Sequence, residues 1–142
     1  MAAYVIVTPA HNEEGHLERL FACVKAQTVK PLVWVIVSDG STDRTDEIAR
    51  GMAAEVSWIR FLRREKPAQD FRRIEKVSPG KVAAVEMALA SLGAAGYEYF
   101  ANLDADVEIG PSYYEQVLDR FKADPSLGIA GGMIRNVLPD GA

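Results

Sequence analysis

An α/β fold on a mainly parallel sheet of about five strands is what this 142-residue sequence predicts, and three observations carry that expectation. Short apolar runs rich in β-branched residues recur without polar alternation, the pattern of strands covered on both faces. Between them lie stretches whose apolar residues fall at helical spacing, so successive strands are joined through helices and pair in parallel. Finally, 49% of the residues are apolar, with no repeat, low-complexity stretch or linker, which suits one domain over residues 1–142.

The elements follow in order. Residues 4–8 form the first strand, and Pro9 ends it. From Asn12, a good N-cap, Leu17, Leu20, Phe21 and Val24 mark a helix running to about Gln27, with Glu13 and Glu14 in its first turn. Residues 33–37 are a second buried strand, and the turn over residues 38–43 feeds a helix reaching about Ala54. Residues 57–62 make a third strand, placed nearer an edge by Arg60. Gly80 opens a helix whose buried stripe is Val82, Val85, Leu89 and Leu92, closed by Gly93 and Gly96. The fourth strand covers residues 97–103, and a helix opening at Pro111 and Ser112 buries Tyr114, Val117, Leu118 and Phe121. Residues 127–134, with three glycines, read as a fifth strand.

Composition narrows the function classes. A net charge of −4 argues against general nucleic-acid affinity, and no apolar run approaches the roughly 18 residues of a membrane span. The start has no basic segment before its apolar run, so it reads as a strand rather than a signal peptide, and a cytoplasmic protein is expected. Cys23 reads as a small buried hydrophobe, and one Cys with two His excludes a structural zinc site. His11 and His16 are expected to have no chemical role, and Trp34 and Trp58 to pack in the core. Between Arg60 and Lys81, eight Lys or Arg face three acids, a local net of +5 in an acidic chain. The irregular stretch over residues 63–78 is therefore either a solvated loop or an electropositive rim for an anionic substrate.

The chemistry centres on residues 99–108, where a strand runs into Asp104 and Asp106. Residues i and i+2 of an extended segment point the same way, so two carboxylates can meet one small volume. A hard divalent cation, Mn²⁺ or Mg²⁺, suits such a pair and completes its shell with water and ligand phosphates. The plain alternative is an Asp-rich turn that caps the next helix. Two more polar clusters follow strands, residues 9–14 after the first and residues 38–43 after the second. In an open α/β sheet, ligands bind beyond the carboxyl ends of the strands, where all three clusters would meet.

The order Pro-Ala-His-Asn-Glu-Glu, Val-Ser-Asp-Gly-Ser-Thr-Asp, Gly-Lys before an Ala-rich helix, then Leu-Asp-Ala-Asp resembles the nucleotide-sugar-binding half of family 2 glycosyltransferases of the GT-A fold. The resemblance covers nearly the whole chain. It implies a Rossmann-like fold and an inverting, metal-dependent transfer of a sugar from a nucleotide-diphospho-sugar, with a UDP-sugar favoured, to an acceptor hydroxyl. It also implies that Asp39 contacts the nucleobase, with Glu13 against the nucleoside and the backbone of Thr8 and Pro9 beside the base. Lys81 then lies near the nucleotide, Asp104 near the ribose or a metal-bound water, and Asp106 on the metal. One departure is Ser38, where the family often carries Asp. The family's general base lies in an acceptor-binding half, so the base is expected beyond Ala142, with Asp140 in a terminal turn and not the base. A chain that stops at Ala142 is then expected to be a fragment that holds nucleotide and metal without transferring sugar alone. The edge meant to meet the acceptor-binding half would favour self-association. Two alternatives stay open: a nucleotide-sugar-binding or regulatory domain without catalytic duty, and a receiver-like signalling domain. The latter wants an acidic pair after the first strand, where this chain has Pro9-Ala-His-Asn.

Overall fold

Four parallel strands, β1 (Tyr4–Ala10), β2 (Val33–Asp39), β3 (Ile59–Arg64) and β4 (Tyr99–Asn102), lie in the order β3-β2-β1-β4. The computed structural model describes residues 2–65 and 79–137. Most of the basic stretch, Asp140 and Ala142 therefore lie outside the described residues, and with them the expectations placed on the rim, on the terminal turn and on a base beyond Ala142. Helices α1 (Leu17–Lys25), α2 (Thr45–Glu55), α3 (Pro79–Leu92) and α4 (Tyr113–Ala123) complete the fold. No helix among the described residues is long and apolar enough to cross a membrane.

The two central strands are buried on both faces, and their alternate residues feed two separate cores. Tyr4, Ile6, Trp34 and Ile36 pack with Leu17, Leu20 and Val24 of α1, Ala49 and Met52 of α2, and Tyr114 of α4. On the other face Val5, Val7, Val33, Val35 and Val37 meet Ala84, Ala88 and Leu92 of α3. Three helices thus cover one face and one covers the other. Thr8 is fully buried, and its hydroxyl accepts a 2.9 Å hydrogen bond from Trp34 Nε1, satisfying the indole inside the core.

Several expectations are corrected. Residues 127–134 form no strand, so among the described residues the sheet has four strands rather than about five. Strand-like composition needs a partner to become a strand, and β4 offers only four residues at the sheet edge. The segment is tethered where the Gly132 N–H donates to Tyr113 Oη at 3.0 Å, while Ile129, Met133, Ile134 and Val137 are exposed. The first helix starts at Leu17, not after Asn12, because Asn12 takes a left-handed φ of 52° and turns its side chain to the neighbouring loop. Of the stripe expected on α3, Leu92 is buried and Val85 and Leu89 pack partly against the core, whereas Val82 is exposed; the fully buried positions include Ala84 and Ala88, on which the helix approaches the valines of the sheet closely. In α4 only Tyr114 is fully buried, and Cys23 is half-buried. The edge position of β3 and the core placement of Trp34 agree with the sequence reading.

Candidate functional site

The strand order sets where a ligand can enter. The chain steps from β1 to β2 to β3 in one direction, then crosses through α3 to β4 on the far side of β1. The direction in which strands are added thus reverses between β1 and β4, and a crevice opens beyond their carboxyl ends. A cleft of about 300 Å³ lies there, lined by Pro9, Ala10, His11, Glu13, Asp39, Lys81, Asp104, Ala105 and Asp106. Six of the seven residues singled out from the sequence line it. Thr8 does not; it is fully buried, with its hydroxyl engaged by Trp34.

Each side chain has a local reason for its place. Leu103 and Ala105 point into the core, so Asp104 and Asp106, on the alternate positions, face the cleft. They do not cap the following helix: α4 has Ser112 at its N-cap and no side-chain capping bond. Gln27, fully buried, holds the loop that follows, donating to the Gly110 carbonyl at 2.7 Å and accepting from the Tyr114 N–H at 3.2 Å. The loops after β1 and β2 are tied together. Asn12 N–H donates to Ser41 Oγ, Thr42 N–H to Asn12 Oδ1 at 2.8 Å, and Glu13 N–H to Thr45 Oγ1 at 2.8 Å. The left-handed Asn12 is the pivot of this network, which fixes Glu13 at the rim. Ser38 is buried and donates to Ser41 Oγ at 2.9 Å, so it serves the turn rather than the cleft.

Asp39 is the most enclosed carboxylate, its side chain 8% exposed against Arg64 at 2.5 Å. Register explains the pairing, since Asp39 and Arg64 are partners at the ends of β2 and β3. The other carboxylate oxygen lies against Gly80, where any Cβ would collide with it. His11 Nδ1 donates to the Asp39 carbonyl at 2.8 Å, which brings the imidazole to the cleft wall. Arg64, Gly80 and His11 are not among the residues the sequence marks for the site. Only the adjacency of β2 and β3 reveals the first, and only the approach of α3 to Asp39 reveals the second.

Acidic crowding dominates the rim. The Glu13 carboxyl is pushed above its usual range chiefly by burial, partly opposed by His16, and further raised by Asp106, Asp43 and Asp104. Lys81 Nζ pairs with Asp104 Oδ1 at 2.5 Å. A cleft that gathers several carboxylates suits a cation, and their donor atoms are all oxygens. Among the described residues no group of three or more His, Cys, Asp or Glu is placed to hold a metal by itself. The residues therefore fit a hard divalent ion that takes one or two carboxylates from protein and the rest of its shell from ligand and water.

Because the folded state raises the Glu13 pKa, it binds more protons than the unfolded chain between the two pKa values, and stability falls as pH rises through that window. The penalty is complete above the raised value and absent below the ordinary one. Glu13→Gln is expected to raise the melting temperature of the metal-free protein at pH 7 and to leave it unchanged well below pH 4, measured by thermal melts across pH.

Residues 5–139 match the family model described as Glycosyl transferase family 2. Over 116 residues the chain is 34% identical to the succinoglycan biosynthesis protein ExoA of Rhizobium meliloti (strain 1021), covering 81% of this chain and 31% of that protein. S. aureus TarS 1-349 in complex with UDP superposes with a TM-score of 0.66 at 19% identity, over 95% of this chain and 38% of that one. Glucosyl-3-phosphoglycerate synthase from Mycobacterium tuberculosis, in complex with Mn²⁺, UDP and glucosyl-3-phosphoglycerate, gives a TM-score of 0.59 at 21% identity, over 84% of this chain and 39% of that one. The chain thus spans between 31% and 39% of these three proteins. The two structural likenesses are of fold.

Proposed function

The chain belongs to glycosyl transferase family 2, and we propose that it holds the nucleotide-diphospho-sugar donor, a UDP-sugar, for an inverting, metal-dependent sugar transfer. The observation that supports this most is the convergence of Pro9, Glu13, Asp39, Lys81, Asp104 and Asp106 on one cleft at the switch point of the sheet. They come from four separate parts of the chain, and no single turn or cap accounts for their meeting. The presence of UDP with TarS, and of UDP with Mn²⁺ in the M. tuberculosis synthase, points to the same class of ligand.

Asp39 would accept the imide N–H of a uracil-like base. Arg64 holds its carboxylate in place, and Pro9 and His11 would wall the base's side of the cleft. Glu13 would lie against the nucleoside. Asp104 and Asp106 would hold Mn²⁺ or Mg²⁺, which when bound neutralises the charge that builds on a departing nucleoside diphosphate. Lys81, in the first turn of α3, adds a positive charge where that helix's N-terminus already favours an anion. Attack of an acceptor hydroxyl with inversion needs a general base, usually Asp or Glu, and we assign that role to none of the described residues.

Calorimetric titration with UDP, CDP, GDP and ADP, each with and without Mn²⁺, tests this reading. UDP is expected to bind most tightly and only with the metal. Equal affinity for UDP and ADP would contradict the role given to Asp39, and binding indifferent to Mn²⁺ would contradict the role given to the acid pair.

A further inference from the structure

The cleft contains two acid-base ion pairs that differ in kind. Arg64 and Asp39 are 23% and 8% exposed, and a planar guanidinium on an enclosed carboxylate makes a fixed pair. Lys81 and Asp104 are 43% and 47% exposed at 2.5 Å, a point charge on a flexible stem in contact with solvent. Pairs of the second kind contribute little and exchange readily. Yet the Lys81 ammonium lies on an oxygen of the very acid pair to which the proposed function gives a divalent ion. Two cations crowding one carboxylate repel each other, so they compete for it. Lys81 also borders a second hollow of about 260 Å³, formed with Val82, Val85, Glu86 and Asn102, which leaves its stem free space.

We propose that Lys81 is an exchangeable counter-ion: it neutralises Asp104 before the divalent ion binds, yields that carboxylate to the ion, and moves to the donor's diphosphate. This rests on the reading of the cleft given above. One side chain then couples the two ligands. Lys81 lowers the affinity for metal alone and raises the affinity for metal with nucleotide, and by linkage each ligand strengthens the other. The device also keeps the acid pair from binding a divalent ion tightly when no donor is present.

Titration of free Mn²⁺ by electron paramagnetic resonance, with and without UDP, tests the exchange on the wild-type chain and on Lys81→Met, Lys81→Arg and Asp106→Asn. Lys81 is half-exposed, so the variants should fold, and thermal melts verify it. Lys81→Met is expected to bind Mn²⁺ alone about two- to fivefold more tightly, the scale of losing a competing surface ion pair. The same variant should bind Mn²⁺ with UDP about tenfold less tightly, as loss of a charge-assisted bond implies. Lys81→Arg, which keeps the charge but holds a carboxylate more firmly, should bind Mn²⁺ alone no more tightly than wild type and lose less affinity for Mn²⁺ with UDP than Lys81→Met does. If Lys81→Met binds Mn²⁺ alone no more tightly than wild type, the exchange is overturned even where UDP affinity falls, because Lys81 is then a phosphate partner only. If Asp106→Asn retains the wild-type affinity for Mn²⁺ with UDP, the reading of the cleft itself fails, and the exchange with it.

Discussion

Replacing Asp106 with alanine is expected to weaken the binding of UDP in the presence of Mn²⁺ by at least about 100-fold, beyond the ~10–100-fold that outer-shell changes cost at metal sites. The fold should survive, because Asp106 is an exposed turn residue whose neighbours Ala105 and Leu103, not Asp106 itself, are in the core. Asp104→Ala is predicted to act less strongly, since Lys81 already claims one of its oxygens. Paired calorimetric titrations, with thermal melts as a control on folding, measure both. A variant that loses UDP affinity equally with and without Mn²⁺ would place Asp106 on the nucleotide rather than on a metal.

Gly80→Ala carries the second large effect, and its cause is steric. The Asp39 carboxylate lies against the bare Cα of Gly80, and it cannot swing away because Arg64 grips its other oxygen in an enclosed position. Adding one methyl group must move the first turn of α3, the carboxylate, or both. Overpacking of this sort costs about 1–3 kcal/mol of stability. It should also lower UDP affinity about tenfold or more, the equivalent of losing a hydrogen bond to a charged group. Gly51→Ala, in α2 with open space at its Cβ, is the matched control. It is expected to stabilise by about 0.5–1 kcal/mol, through helix propensity alone, and to leave binding unchanged. Urea denaturation and titration of the two variants separate the local collision from the general effect of substituting glycine in a helix.

How far the sequence reveals this arrangement depends on which forces leave a mark in it. The runs Val5–Ile6–Val7 and Val33–Trp34–Val35 announce buried parallel strands because burial on both faces tolerates no polar residue. The residues beyond those strands are legible for another reason: Asp39, Asp104 and Asp106 follow buried strands in polar clusters whose order along the chain no single turn requires. The segment over residues 127–134 shows the limit. Its apolar residues record a preference for a strand, but not whether a neighbouring strand exists to pair with. The face of α3 is legible only in part: Leu92 is buried as its spacing suggests, while Ala84 and Ala88 take the innermost places because periodicity picks bulky side chains and the valines opposite favour small ones. Asn12 looks like a helix cap in sequence, and only the meeting of two loops makes it a left-handed pivot well before α1. Arg64 and Gly80 gain their roles across strand register and helix approach, so no local pattern could mark them.

One cation and one nucleoside diphosphate are expected to meet between the ends of β1, β2 and β4. Paramagnetic broadening by Mn²⁺ tests it most directly, observed on the ³¹P resonances of UDP and the backbone amides of the protein in one sample. Both UDP phosphorus signals are expected to broaden together with the amides of Glu13, Lys81, Asp104, Ala105 and Asp106, while those of Leu118 and Phe121 in α4 stay sharp. Phosphorus signals that broaden while those cleft amides remain sharp, or amides that broaden first along α4, would contradict it.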